Sequence, residues 1–370
     1  MGFNCGVIGL PNVGKSTIFN ALTSAKAAAA NFPFCTIEPN TGMVPVKDDR
    51  LDTLAKLAVS AKIVPTQIQF VDIAGLIRGA SQGEGLGNQF LAHIREVDAV
   101  AHVVRCFSDP DVVHVEGLVD PLRDVETVDT ELILADLDSV AKQISKYEKA
   151  SKSGENETRV CLSMLKEVEA ALAQGKPARA VKLEDAPEEV RLIYRTLLSA
   201  KPTLFVANVD ESESATSAVR GGNRAIDKIT DYARSIQTEV VTISGKVEAE
   251  IAEMPPAERK EYLESLGLSA SGLDRLTAAG YRLLGLITFF TVGPKEAHAW
   301  TAPQGTKAPQ AAGKIHSDFE HGFIRAEVFS AGDYIAAGSE VKAKEAGKLR
   351  IEGKDYVVQD GDVVHFRFNV

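Results

Sequence analysis

The sequence predicts an α/β protein: a doubly wound, mostly parallel sheet carrying an inserted α-helical coiled-coil hairpin, followed by a small C-terminal α+β domain. Three observations carry that reading. Short β-branched runs alternate with helical patterns, the alternation is interrupted for about a hundred residues after Val104, and strand-rich texture returns after Gly280. With 370 residues, 45% of them hydrophobic and 25% charged, the chain has the composition of a folded, water-soluble protein of more than one domain.

The first element, Asn4-Cys5-Gly6-Val7-Ile8-Gly9, reads as a strand that closes on glycine; a polar loop and a helix from Ser16 to Leu22 follow. Ile68–Ile73, Ala99–Val104, Thr203–Asn208 and Val240–Ile243 supply four more buried strands. In the interruption, Ile133, Leu137, Val140, Ile144 and Tyr147 repeat at alternating helical intervals, and Cys161, Leu165, Val168 and Leu172 do so again after a polar break from Ser151 to Asn156. So narrow a stripe suits a projecting coiled-coil arm, with two ordinary helices packed on the sheet as the alternative. Beyond Gly280, Leu286–Thr291, Phe323–Val328, Tyr356–Val358 and Val363–Phe368 predict short strands, with Asp360-Gly361 as a turn.

Several functional classes are excluded. The longest apolar stretch, Leu283–Val292, falls well short of the roughly 20 residues that span a bilayer. No membrane partner is expected, and with no basic leader after Met1 a cytoplasmic location is. Cys5, Cys35, Cys106 and Cys161 show neither CxxC spacing nor a histidine cluster, so they read as buried thiols rather than disulfides or zinc ligands. The net charge is −10, yet residues 280–370 are balanced at 11 acids and 11 bases, which leaves the acidity to the rest of the chain. An acidic bulk argues against wrapping DNA. The local run Lys342, Lys344, Lys348, Arg350 and Lys354 suits either a solvated face or phosphate contacts.

The chemistry starts at Gly9-Leu10-Pro11-Asn12-Val13-Gly14-Lys15-Ser16, which fits GxxxxGK[ST] between a predicted strand and a predicted helix. In that setting the amides of Asn12 to Thr17 point at phosphates, the Lys15 ammonium covers the β and γ groups, and the Ser16 hydroxyl ligates Mg²⁺. Asp72-Ile73-Ala74-Gly75 closes a predicted strand, where the aspartate stands beside Mg²⁺ and the Gly75 amide meets the γ-phosphate. The glycines that follow, Gly79, Gly83, Gly85 and Gly87, have the look of a switch, and Thr36 is the candidate for a second metal-binding hydroxyl.

Base choice is read at Asn208-Val209-Asp210-Glu211, which stands where guanine-binding proteins carry N-K-x-D. Val209 replaces the lysine, and Glu211 sets its carboxylate one methylene farther out, so the paired contact to guanine fails. The Asn208 amide can instead satisfy adenine at N7 and the 6-amino group, and Ser244-Gly245-Lys246 lies where a backbone contact to the base is expected. Both ATP and GTP remain open on these residues. Leu76 occupies the position of the water-orienting glutamine, which leaves His93 and His114 as candidates, His114 being favoured by its loop of Pro and acids.

Taken together, GLPNVGKST (Gly9–Thr17), NFPFCTIEPN (Asn31–Asn40), VDIAGLIRGASQGEGLGNQF (Val71–Phe90), HVVRCF (His102–Phe107), ANVDE (Ala207–Glu211) and AAGKIHSDFEHGFIRAE (Ala311–Glu327) resemble the Obg-like ATPases of the YchF subfamily, within the translation-factor class of P-loop proteins. The resemblance runs nearly end to end. It implies hydrolysis of ATP in preference to GTP, Mg²⁺ held by Ser16 and Thr36, and adenine recognised through Asn208 and packed near Phe107 and Val209. It further implies His114 as the water-positioning group, K⁺ at Asn12, and association with the ribosome (50S or 70S) or its rRNA and tRNA, with Lys314, Arg325, Lys342, Lys344 and Lys348 as candidates for RNA contact. The domains expected are residues 1–126 with 200–277 for the nucleotide, 127–199 for the helical insert, and 278–370 for a β-grasp TGS module. Three rival readings remain: a small-molecule kinase, a nucleotide-regulated binding scaffold with incidental hydrolysis, and a GTPase.

Overall fold

The computed structural model describes residues 3–27, 40–74, 86–114, 117, 119–151, 156–183, 185–211 and 223–369. Its elements begin with β1 (Asn4–Ile8), α1 (Lys15–Ala27), β2 (Thr41–Pro45), α2 (Asp49–Leu57), β3 (Ile63–Val64), β4 (Gln67–Asp72), α3 (Leu86–Glu96) and β5 (Ala99–Arg105). There follow α4 (Pro121–Ala150), α5 (Asn156–Ala173), α6 (Glu188–Thr196), β6 (Thr203–Asn208), α7 (Arg224–Ser235), β7 (Val240–Ile243), α8 (Gly245–Glu253), α9 (Pro256–Ser265) and α10 (Gly272–Leu283). The remainder is β8 (Leu286–Val292), β9 (Ala297–Pro303), α11 (Ala308–Ile315), α12 (Ser317–His321), β10 (Phe323–Ser330), α13 (Ala331–Ala337), α14 (Glu340–Glu345), β11 (Arg350–Glu352) and β12 (Asp362–Phe368). The chain divides into two compact units: Phe3–Gly42 with Gln69–Ala279, and Met43–Ile68 with Gly280–Val370.

The first unit is organised by a six-stranded sheet in the order β2-β4-β1-β5-β6-β7. β1 pairs in parallel with β4 and β5, β5 with β6, and β6 with β7. These five strands therefore run the same way, and the loops that follow Ile8, Asp72, Arg105, Asn208 and Ile243 leave one edge of the sheet, where such folds bind nucleotides. Helices cover both faces, so the central strands read as continuous apolar runs: every residue of β5 and β6 is buried. Phe205 and Ala207 of β6 pack with Ile229 and Ala233 of α7 and Val125 of α4. The described cysteines, Cys5, Cys106 and Cys161, are buried thiols that form no disulfide with one another.

The predicted helical stripe forms α4 and α5, with Ile133, Val140 and Ile144 in one core with Leu165, Val168 and Leu172. Polar bonds then fix where the insert returns. The Asp136 carboxylate accepts from the amides of Leu198 and Ser199, each at 2.8 Å, and from the Ser199 hydroxyl at 2.6 Å. Arg179 pairs with Asp129 at 2.6 Å.

The second unit has its own sheet, ordered β11-β10-β12-β8-β9-β3. It takes in residues 43–68, which the sequence reading assigned to the nucleotide-binding domain. The reason is packing: α2 turns Leu51, Leu54 and Ala55 into a core with Phe290, Val292, Phe329 and Val363, and Ile63 and Val64 pair with Ala297 and His298. β9 and β11 were not anticipated, since β9 buries only Ala297, Ala299 and Ala302 along the stretch, and alanine carries little β signal. Tyr356–Val358, expected as a strand, makes a single bridge through Lys307 and Val357.

Two buried titratable groups of the first unit oppose one another in pH. Burial in β5 holds His102 down at about 4. Glu248 of α8 accepts from the amide of Gly272 at 2.6 Å and that of Leu273 at 3.4 Å, yet burial lifts its carboxyl to about 7. The fold favours neutral imidazole, so this contribution to stability is lost as the pH falls below the free histidine value toward 4. It also favours protonated Glu248, so that contribution is lost as the pH rises from 4.5 through 7. Glu248→Gln is expected to gain stability relative to wild type across this second window at up to about 1.4 kcal/mol per pH unit, and to run parallel to it above the window. Urea unfolding at a series of pH values checks this; parallel curves throughout would refute it.

Candidate nucleotide-binding site

The loop from Gly9 to Gly14 is wedged between two strands, which accounts for its glycines. A Cβ on Gly9 would stand 2.7 Å from the Val103 carbonyl oxygen of β5. One on Gly14, at φ +88°, would stand 2.1 Å from Nδ2 of Asn208 at the end of β6. Asn12 is also left-handed at φ +63°, and Val13 is buried. The turn delivers the chain into α1 at Lys15, whose first amides have no helical partners of their own and face outward as an anion cradle.

The side chains of Lys15 and Asp72 meet at the head of the loop. The Lys15 ammonium donates to Asp72 Oδ1, with both side chains largely shielded from water. Ser16 and Thr17 are exposed at the start of α1. Thr36, Gly75, Leu76, Gly79, Gly83 and Gly85 lie outside the described residues, while Gly87 falls in the first turn of α3.

On the base side a cavity of about 400 Å³ gathers Gly14, Thr17, Phe107, Asn208, Val209, Glu211, Ser244 and Lys246. Asn208 closes it from below: Nδ2 donates to the Val13 carbonyl at 2.9 Å, and Oδ1 accepts from the Gly245 amide at 2.9 Å. The sequence reading gave this amide to the adenine edge; its geometry makes it first a brace between the phosphate loop and the base loop, with one N–H and one lone pair left for a ligand. Ser244 is the N-cap of α8, which fixes the orientation of Gly245 and Lys246. Glu211 Oε2 lies 3.7 Å from Lys246 Nζ, so the carboxylate in the guanine-reading position already has a cation beside it.

His114 departs from expectation. The sequence reading favours it for its loop of Pro and acids, but the imidazole is buried, with Nε2 3.0 Å from Asp124 Oδ2 in the first turn of α4. Burial raises the Asp124 carboxyl, and His114 acts against that rise. The neighbouring residue reaches the site instead: the Val113 carbonyl accepts from Asn12 Nδ2 at 3.1 Å. Two participants escaped sequence reasoning. Asp124 carried no signal, being one acid among many on α4. Arg105 did carry one, as a cation closing a strand of mostly apolar residues; it is the largest fully buried side chain among the described residues.

Comparison with known proteins agrees with this geometry. Residues 4–149 match the family described as "50S ribosome-binding GTPase", and residues 286–369 match YchF-GTPase C-terminal, described as "Protein of unknown function (DUF933)". The chain is 52% identical to the ribosome-binding ATPase YchF of Bacillus subtilis (strain 168) over 371 residues, covering 100% of both chains. It is 51% identical to the protein of that name from Escherichia coli O157:H7 over 370 residues, again covering 100% of both. Among solved structures, the Schizosaccharomyces pombe YchF GTPase superposes with a TM-score of 0.87 at 34% identity, over 99% of this chain and 98% of that one. With relatives of that name matched end to end at about half identity, the chain belongs to the YchF family.

Proposed function

We propose that this protein is a Mg²⁺-dependent ATPase that hydrolyses ATP to ADP and phosphate, prefers ATP to GTP, and uses its nucleotide state to control binding to the ribosome. The observation that carries the base preference is the pairing of Glu211 with Lys246 at 3.7 Å, beside an Asn208 whose amide is spent largely on the protein. Guanine needs a carboxylate to accept from N1–H and the 2-amino group together. Glu211, one methylene longer than aspartate and drawn toward Lys246 in an exposed pair worth about 0–1 kcal/mol, is set off that geometry, whereas adenine asks nothing of the carboxylate. Relatives at about half identity bear the name ribosome-binding ATPase, which supports both halves of the reading.

The residues fit a magnesium nucleotide. Ser16 offers a hydroxyl and Asp72 a carboxylate, hard oxygen donors of the kind Mg²⁺ takes, and Thr36 would add a second hydroxyl. Bound there, the ion would neutralise charge on the β- and γ-phosphate oxygens. Lys15 would exchange Asp72 for the phosphates, and the amides of Val13 to Thr17 would hold the oxygens as charge develops during in-line attack of water. The amide of Gly75 would meet the γ-phosphate. Asn12, with its nitrogen on Val113, keeps Oδ1 as the atom for a potassium ion. With His114 paired to Asp124, a water-positioning role for its ring requires that pair to open first.

Two measurements test this reading. Labelled ATP and GTP analogues, titrated with Mg²⁺ into wild type and Glu211→Asp, should bind with an ATP preference of about tenfold that the variant reduces; tighter GTP binding by wild type would overturn the base assignment. Lys15→Ala should lose hydrolysis by about a hundredfold or more and abolish the nucleotide dependence of co-sedimentation with ribosomes. Unchanged nucleotide-dependent co-sedimentation by a hydrolytically dead variant would favour the scaffold instead.

A further inference from the structure

Arg105 ends β5 with its side chain 2% exposed, and its planar fork is directed into the turn that follows. Nε donates to the Phe107 carbonyl at 3.2 Å, Nη2 to that of Asp109 at 3.0 Å, and Nη1 to that of Val112 at 2.9 Å. The guanidinium also lies 4.4 Å from the centre of the Phe107 ring. Among the described residues no carboxylate forms an ion pair with it, so three carbonyl dipoles and one ring face stabilise a cation taken out of water.

The three residues whose carbonyls it holds, Phe107, Asp109 and Val112, are the three from this turn that line the 400 Å³ cavity. A residue that only filled the core would have no reason to bind those three and no others. We propose that Arg105 is a positioning residue that determines base specificity: it draws this turn inward at three points and so sets the wall against which a purine ring packs. The proposal rests on the reading of the cavity as the base pocket. It follows that Arg105 acts on the base end of the ligand and not on the phosphates. Lysine cannot replace it, because one ammonium on a flexible stem cannot satisfy three carbonyls fixed in the plane of a fork.

The test compares Mg²⁺ complexes of ATP, GTP and inorganic tripolyphosphate by equilibrium binding to the full-length protein. Arg105→Lys, checked for folding by thermal melting, is expected to bind ATP about tenfold more weakly, to lose most of its ATP-over-GTP preference, and to bind tripolyphosphate within about twofold of wild type. Unchanged ATP affinity and preference would overturn the proposal, and so would an equal loss for ATP and tripolyphosphate, which marks a general weakening of the fold. Phe107→Leu keeps the backbone carbonyl and the buried cation, and serves if the lysine variant does not fold. It should reduce the ATP preference with tripolyphosphate binding unchanged, and an undiminished preference would count against the wall. Wild-type protein that binds tripolyphosphate as tightly as ATP would instead overturn the base-pocket reading, and the proposal with it.

Discussion

One side-chain amide holds the nucleotide edge of the sheet together. Asn208 spans from the Val13 carbonyl to the Gly245 amide, so the phosphate loop after β1 and the base loop after β7 are fixed to the end of β6, which lies between them in the chain's topology. The contact is buried, where a lost partner costs about 1–3 kcal/mol for each orphaned group, more than the bond contributes in water. It also dictates its neighbours: the side chain occupies the space a Cβ on Gly14 would fill, so glycine is required there on steric grounds as well as for its φ of +88°. A short residue with both a donor and an acceptor is the economical solution. Aspartate would set a second acceptor against the Val13 carbonyl.

Electrostatics follow from that frame. With the loop fixed, Lys15 has a set position, and its charge is paired with that of Asp72. Both charges are largely shielded from water, so neither could remain there alone without a desolvation cost of several kcal/mol. A magnesium nucleotide would supply the opposite partner to each at once: phosphate oxygens for the lysine and a cation for the aspartate.

Much of this was legible in the sequence, for reasons that differ by element. The five parallel strands were readable because burial on both faces forces continuous apolar runs, and α4 and α5 because a narrow apolar stripe at helical spacing buries itself only when two helices pack along it. The phosphate loop was readable because its glycines answer to steric facts that no other residue satisfies. β9 was not, since its buried positions are alanines, nor was the grouping of residues 43–68 with the C-terminal unit, because α2 presents an ordinary apolar face and nothing local says which core will receive it. The burial of His114 was not, because its Pro- and Asp-rich loop has a surface composition and the residue that pairs with it, Asp124, lies in a different element and has no local mark.

The turn from Arg105 to His114 has the composition of a loose surface loop and the anchoring of a core element. Its first half is gathered by a buried guanidinium, its Val113 carbonyl is bonded to the phosphate loop through Asn12, and its last side chain is paired in the interior with α4. Both partners of the His114–Asp124 contact are buried, and a buried polar group left without its partner costs about 1–3 kcal/mol. The turn and the first turn of α4 are therefore one mechanical piece, joined at one end to the wall of the base pocket and at the other to the root of the helical insert. With polar bonds at three points, from Asn12 ahead of it, Arg105 at its head and Asp124 beyond it, the turn has the anchoring of regular structure without its composition, and none of those three anchors belongs to the loop sequence itself.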